Sequence, residues 1–239
     1  KLGLDHKLVR IMEMEEDEGG DFDVLATEWT IGQGHAATFT TGTSDAVSRA
    51  AAAPPAILDA LVFAPPLAAA EGSPSLWIGV AGAGVDFGGA QAWVSWDGGT
   101  TYEYVGDVPR AIYGTTDAIV ADGPTVDASA TISVTLSDEL ATLETVPEAD
   151  RDALKTACWR DGEILAFKTA ADLGGGHYHL TTLRRGALGT PTGAHASGAK
   201  LWRLDERVLS LPIPATRYGS TVRVKLVAFN AAVLQLADE

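Results

Sequence analysis

The chain has 239 residues, 46% hydrophobic and 21% charged, with 26 Gly, 11 Pro, a single Cys and a formal charge of −15. At this length roughly 70% of the unfolded surface can be buried, so a core needs no disulfide staples, and the lone Cys158 excludes an intramolecular bridge and a multi-cysteine zinc site. The 32 acidic against 17 basic residues argue against a protein that grips a nucleic-acid backbone or an anionic membrane, and no apolar run approaches the roughly 20 residues that span a bilayer.

In chain order, 7–14 (KLVRIMEM) and 21–29 (DFDVLATEW) alternate apolar and polar residues around an acidic turn at 15–20, which predicts a β-hairpin. The carboxylates of that turn suit solvent better than a metal. From 41 to 55 the composition shifts to Thr, Ser, Ala and Pro. Ser44 or Asp45 could cap one or two helical turns before Pro54 and Pro55 stop them, and the stretch reads as a linker. Strands are then predicted at 60–63, 76–81 and 90–96, the last joined through Asp97-Gly98-Gly99 to 101–105, and another at 131–136. Residues 147–154 (PEADRDAL) carry the one convincing helix start, with Pro and acidic residues in the first turn. Further strands at 155–160 and 163–169 flank Asp161-Gly162, and 177–183, 201–204 and 221–229 complete the set. Short strands separated by Gly and Pro predict a mainly β fold of antiparallel sandwich or barrel domains with one short helix. The start at Lys1 without Met predicts a piece of a longer protein.

Candidate chemistry is sparse. Gly82, Gly84 and Gly88 follow a strand, but their spacing departs from the dinucleotide fingerprint and a strand stands where a helix should receive a pyrophosphate. His177 and His179 alternate on one strand face, at a spacing two metal ligands could share, yet no acid pattern accompanies them and exposed strand histidines are the better reading. Cys158 sits between Ala157 and Trp159, an apolar setting that favours core packing over reactivity. With so many acidic residues, chance alone pairs carboxylates in any fold, so a glycosidase dyad cannot be picked out. Trp93, Trp96, Tyr102 and Tyr104 flank one hairpin and could stack sugar rings, although alternation puts Trp93 and Trp96 on opposite faces, so at least one belongs to the core. Arg184, Arg185, Gly186, Gly189 and Thr190 read as a structural corner, with arginine forks meeting local carboxylates or carbonyls and glycines permitting positive φ. That corner is expected to set the strand before it against the strand beginning near Lys200. No catalytic residue, metal ligand or cofactor is assigned.

The order of these segments carries a resemblance: 93–104 (WVSWDGGTTYEY), 161–168 (DGEILAFK), 176–190 (GHYHLTTLRRGALGT) and 195–205 (HASGAKLWRLD). It resembles the C-terminal part of phage tail-tip or baseplate-hub proteins, in particular the large hub protein of gene transfer agents and the attachment proteins of long-tailed phages, over about residues 60–212. Trp96 within the first motif and Ala187-Leu188 in the corner depart mildly from the pattern. The resemblance implies a structural virion component at the distal end of the tail; some such hubs carry peptidase or glycosidase modules, but no such module is read in this stretch, so a non-enzymatic part is expected. It further implies assembly as a homotrimer that contacts distal-tail, tail-fibre or receptor-binding proteins and serves host attachment; from charge and hydropathy, neither nucleic-acid binding by this fragment nor stable membrane insertion is expected. The domain expectation is the end of a β-rich hub domain over 1–50, a linker at 51–57, and a second β-domain over 58–212. Residues 213–239 are expected to return to the first unit or to begin a following one. Two rival functions are a module that binds cell-surface polysaccharide through the four hairpin rings and a wall hydrolase.

Overall fold

The computed structural model describes the backbone of two strands, β1 (Val9–Glu16) and β2 (Phe22–Glu28), together with residues 54–84 and 86–230. The chain divides into a unit Lys1–Val47 and a unit Ser48–Glu239. In the first, β1 and β2 pair antiparallel from Val9↔Glu28 to Glu16↔Phe22, as the alternation predicts. The turn at 17–21 and the Ala-rich stretch at 41–53 lie outside the described residues.

The second unit continues with β3 (Ile57–Phe63), β4 (Ser75–Gly82), β5 (Phe87–Ser95) and β6 (Glu103–Pro109). Next come β7 (Tyr113–Thr116), β8 (Val126–Leu136), the short helix α1 (Glu148–Asp152), β9 (Ala157–Arg160), β10 (Glu163–Gly174), β11 (His177–Arg184) and β12 (Lys200–Arg203). The unit ends with β13 (Leu209–Pro212) and β14 (Arg223–Asn230). The fold is mainly antiparallel β with one short helix, and it holds both a sandwich and a barrel. Two three-stranded sheets, β13-β4-β3 and β14-β5-β6, face each other, while β10-β11-β8-β7-β12-β9 close into a six-stranded barrel.

The predicted second domain is therefore two modules, with the barrel inserted into the sandwich between β6 and β13. β14 pairs with β5 from Arg223↔Ser95 to Asn230↔Phe87, so residues 223–230 belong to the sandwich, while 231–239 lie outside the described residues. Strands β7 and β13 went unpredicted because one carries a Gly in Tyr-Gly-Thr-Thr and the other ends in Pro, residues that read as breakers.

Strand β4 explains how the modules join. Its alternate residues Leu76, Ile78 and Val80 enter the sandwich core with Phe87, Val94 and Val108, each such burial contributing about 1.5–3 kcal/mol. Its other face carries Trp77, Gly79 and Ala81, and at Gly79 the Trp202 ring of β12 packs against the backbone, within 3.6 Å of where a Cβ would stand. An aromatic seam follows, with ring centroids 4.5 Å apart for Tyr113–Trp202, 5.6 Å for Phe63–Trp159 and 5.7 Å for Phe63–Trp77. Lys200 of β12 reaches Asp59 of β3 at 2.7 Å across the same seam. Burial would raise the Asp59 carboxyl, but hydrogen bonds from Lys200 and Tyr113 outweigh it and hold the group below its ordinary value.

The barrel is filled from alternate inward positions, including Ile132 and Val134 of β8, Leu165 and Phe167 of β10, and Leu180 of β11, all fully buried. Among the described residues no helix is long and apolar enough to cross a membrane.

Candidate functional site

The barrel's inward alternation turns polar at one end. In β10, Leu165 and Phe167 point into the apolar core, and Glu163, two residues earlier, must point the same way. Its carboxylate, 1% exposed, is met by the guanidinium of Arg185, itself completely buried just beyond β11. The pair is bidentate, with Arg185 Nε donating to Oε1 at 3.0 Å and Nη2 to Oε2 at 2.8 Å. The backbone N–H of Gly186 donates to Oε1 at 3.0 Å, and His195 Nε2 lies 2.7 Å from Oε2. Two oxygens thus meet four partners, which fills the lone pairs of a carboxylate. Burial would raise the Glu163 pKa, yet the donors from Arg185 and His195 hold it below its ordinary value.

The corner residues build this arrangement. Gly186 takes φ +59°, where a Cβ would stand 2.9 Å from the Thr192 methyl and 3.0 Å from the Thr190 carbonyl oxygen. Leu188 and Gly189 also have positive φ, so the chain reverses within a few residues. Thr190 locks the reversal, its hydroxyl donating to Ala187 O at 2.8 Å and accepting the Ile164 N–H at 3.0 Å. Arg184 turns the other way and donates to the carbonyl of Asp152, at the end of α1. Arg185 Nη1 and Nη2 also donate to Ala121 O at 2.7 Å and Gly193 O at 2.6 Å, binding two loops to the barrel end.

All five corner residues therefore meet around one bend. The bend does not set β11 against β12, as the sequence suggested: in the barrel order β11 lies between β10 and β8, and β12 between β7 and β9. It fastens β11 to the start of β10 instead. A pocket of about 260 Å³ opens beside it, with Glu163, His195 and Thr192 in its wall.

A second cation shares this end. Arg160 of β9 is completely buried; its Nη2 donates to Thr116 Oγ1 at 3.2 Å, while Nε and Nη1 have no partner among the described residues. Burial and the neighbouring Arg185 charge push its pKa down to about 10. Asp127, also buried, accepts from the Ser129 N–H and hydroxyl and from the Ala130 N–H at 2.9–3.0 Å. The end of the barrel thus holds a saturated Glu163–Arg185 pair beside an Arg160 that no carboxylate in hydrogen-bond range answers.

Elsewhere the predicted residues separate. Trp93 and Tyr104 form a ring pair at 5.5 Å, while Trp96 packs against the sandwich core beneath Arg217. Tyr102 and Tyr104 are part-exposed, and the Tyr104 hydroxyl donates to Asp107. The four rings thus do not make one stripe. His177 and His179 lie exposed beside Thr135 and Ser133, whose hydroxyls donate to Asp117. No group of three or more His, Cys, Asp or Glu among the described residues could hold a metal ion. Cys158 is part of the barrel core, and burial pushes its thiol up to about 12. The glycine-rich stretch is explained by packing, because a Cβ on Gly82 would fall 1.9 Å from the Phe87 ring.

Sequence reasoning missed Glu163 and His195 as the residues that meet at the corner, and Arg160 as a buried cation beside it. The signal was available for Glu163, an acid at an inward position of an otherwise apolar alternation; none marked His195, which is 32 residues away.

Residues 111–202 match a family model described as Rcc01698-like, C-terminal. The matched stretch begins two residues before β7 and ends within β12, so it coincides with the barrel. No curated protein matches the chain.

Proposed function

We propose that this chain is a structural, non-enzymatic part of a tail-tip or baseplate hub, from a phage or a gene transfer agent, that links the tail tube to distal receptor-binding or wall-penetrating parts as a homotrimer. The observation that carries the reading is the match of the whole barrel to a family whose name comes from a protein of a Rhodobacter gene transfer agent region. The build of the second unit supports it. The barrel is fixed to the sandwich by an aromatic seam and an ion pair, and the corner carboxylate is saturated by donors, as suits a part that transmits position. A rival reading, binding of surface polysaccharide, is left with Trp93 and Tyr104 as its one ring pair.

Electron microscopy of purified particles whose gene for this chain carries a small tag tests the reading. Three-fold label density at the far end of the tail is the expected result. Particles without the label, or label distributed along the tail tube, would overturn it.

A further inference from the structure

On the outer wall of the barrel, His177 and His179 of β11 are both exposed on one face of the strand, two residues apart, so their Cα atoms lie about 6–7 Å from each other. Tyr178 between them turns inward and is buried, and β11 is held on its two sides by β10 and β8, which fixes the strand that carries the rings. Their neighbours on β10 are Gly174 and Ala171. A Cβ at Gly174 would have nothing within 4 Å, so the side of His177 toward β10 is open. Their neighbours on β8 are Thr135 and Ser133.

A carboxylate reaches one of these rings through a hydroxyl. Thr135 Oγ1 donates to Asp117 Oδ1 at 2.7 Å and lies 3.0 Å from His177 Nδ1, while the Ser133 hydroxyl donates to Asp117 Oδ2 at 2.7 Å. Burial would raise the Asp117 carboxyl, but the two hydroxyls and the nearby imidazoles of His177 and His179 hold it below its ordinary value, so it is ionised and only accepts. The single Thr135 proton is therefore taken by Asp117, and the Thr135 oxygen accepts from His177. Nδ1 carries the ring proton, and in the neutral ring Nε2 keeps a free lone pair. A metal-ligating imidazole has this arrangement, with one nitrogen donating to an oxygen partner and the other left to bind the ion.

The geometry points to His177 and His179 as a two-imidazole site for a divalent ion of the Zn²⁺, Cu²⁺ or Ni²⁺ class, with Thr135 and Asp117 as positioning residues that fix the His177 tautomer. Imidazole nitrogens select that class over Mg²⁺ and Ca²⁺, which take oxygen ligands. Asp117 is not a ligand, because hydroxyls occupy both of its oxygens. The chain supplies two donors, in keeping with the lack of any three-ligand group among the described residues, and water completes the shell. The site rests on strand register and hydrogen bonds and does not depend on the role proposed for the chain.

The probe is zinc chloride, titrated into the ¹⁵N-labelled full chain free of any affinity tag and followed by NMR of the imidazole nitrogens and by calorimetry. Before metal is added, His177 should carry its proton on Nδ1. Zn²⁺ should then shift the ring nitrogens of His177 and His179 saturably, and Mg²⁺ should not. His177→Ala and His179→Ala should each remove saturable binding over the range in which the unaltered chain titrates, while His6→Ala/His35→Ala should leave it unchanged. Thr135→Val should weaken binding about tenfold, the lower end of what an outer partner contributes to metal affinity, and Thr135→Ser should restore it. A His177 proton on Nε2 alone, no effect of Thr135→Val, shifts centred on other histidines, or equal binding after either ring is removed would overturn the assignment.

Discussion

The barrel and the sandwich are built from similar short strands, yet they end differently. In the barrel every strand has two neighbours, so no backbone edge is left, and the interior is sealed to the extent that two arginines and a glutamate are carried inside it. The sandwich keeps edges. Among the described residues β3 pairs only with β4, and Leu58 and Val62 are 54% and 42% exposed on it. Closure lets a module carry buried charge: the Glu163–Arg185 pair is fully answered there, while Arg160 is held with two N–H groups unanswered among the described residues. An open sheet leaves apolar surface and unpaired amides to whatever chain comes next.

Substitutions at three positions probe this contrast. The largest effect is expected at Glu163. Glu163→Ala strands a buried guanidinium and should cost about 3–5 kcal/mol in urea unfolding. Because the folded-state pKa of Glu163 is lowered, its contribution is complete above the unfolded carboxyl pKa, about 4.3, and is lost as pH falls through the folded value. Glu163→Gln should flatten that acid limb, and an unchanged pH slope would show that the pair does not stabilise the barrel.

A smaller gain of about 1–3 kcal/mol is expected for Arg160→Met, which removes two unanswered N–H groups and the repulsion from Arg185. A loss of stability in thermal unfolding would mean that Arg160 is answered by the barrel after all. The smallest change in stability, within about 0.5 kcal/mol, is expected for Val62→Lys on the open edge of β3. Its effect should appear instead as a lower weight-average mass by light scattering at high concentration; an unchanged mass would show that this edge is idle.

Much of the local pairing was legible. Asp97-Gly98-Gly99 and Asp161-Gly162 mark the β5–β6 and β9–β10 hairpins because the turn residues declare themselves within a few positions. Long-range pairing was not legible, because inward alternation looks the same whether a strand joins a sheet or a barrel. Nothing local to 223–230 says that it meets β5, or that β12 lies between β7 and β9. The corner was readable as a bend from Gly186 and Gly189, but its partner Glu163 is 22 residues upstream and became visible only once β10 and β11 were side by side.

Tyr113 and Trp202 face each other in the β7–β12 pair, so the chain leaves the sandwich and comes back to it at adjacent points. A segment whose two ends touch can be exchanged by recombination as a cassette, since the host frame needs only a short bridge to heal. Drift in such a gene should therefore fall into two tempos, one for the cassette and one for the frame, with the aromatic seam as the boundary that must keep step with both.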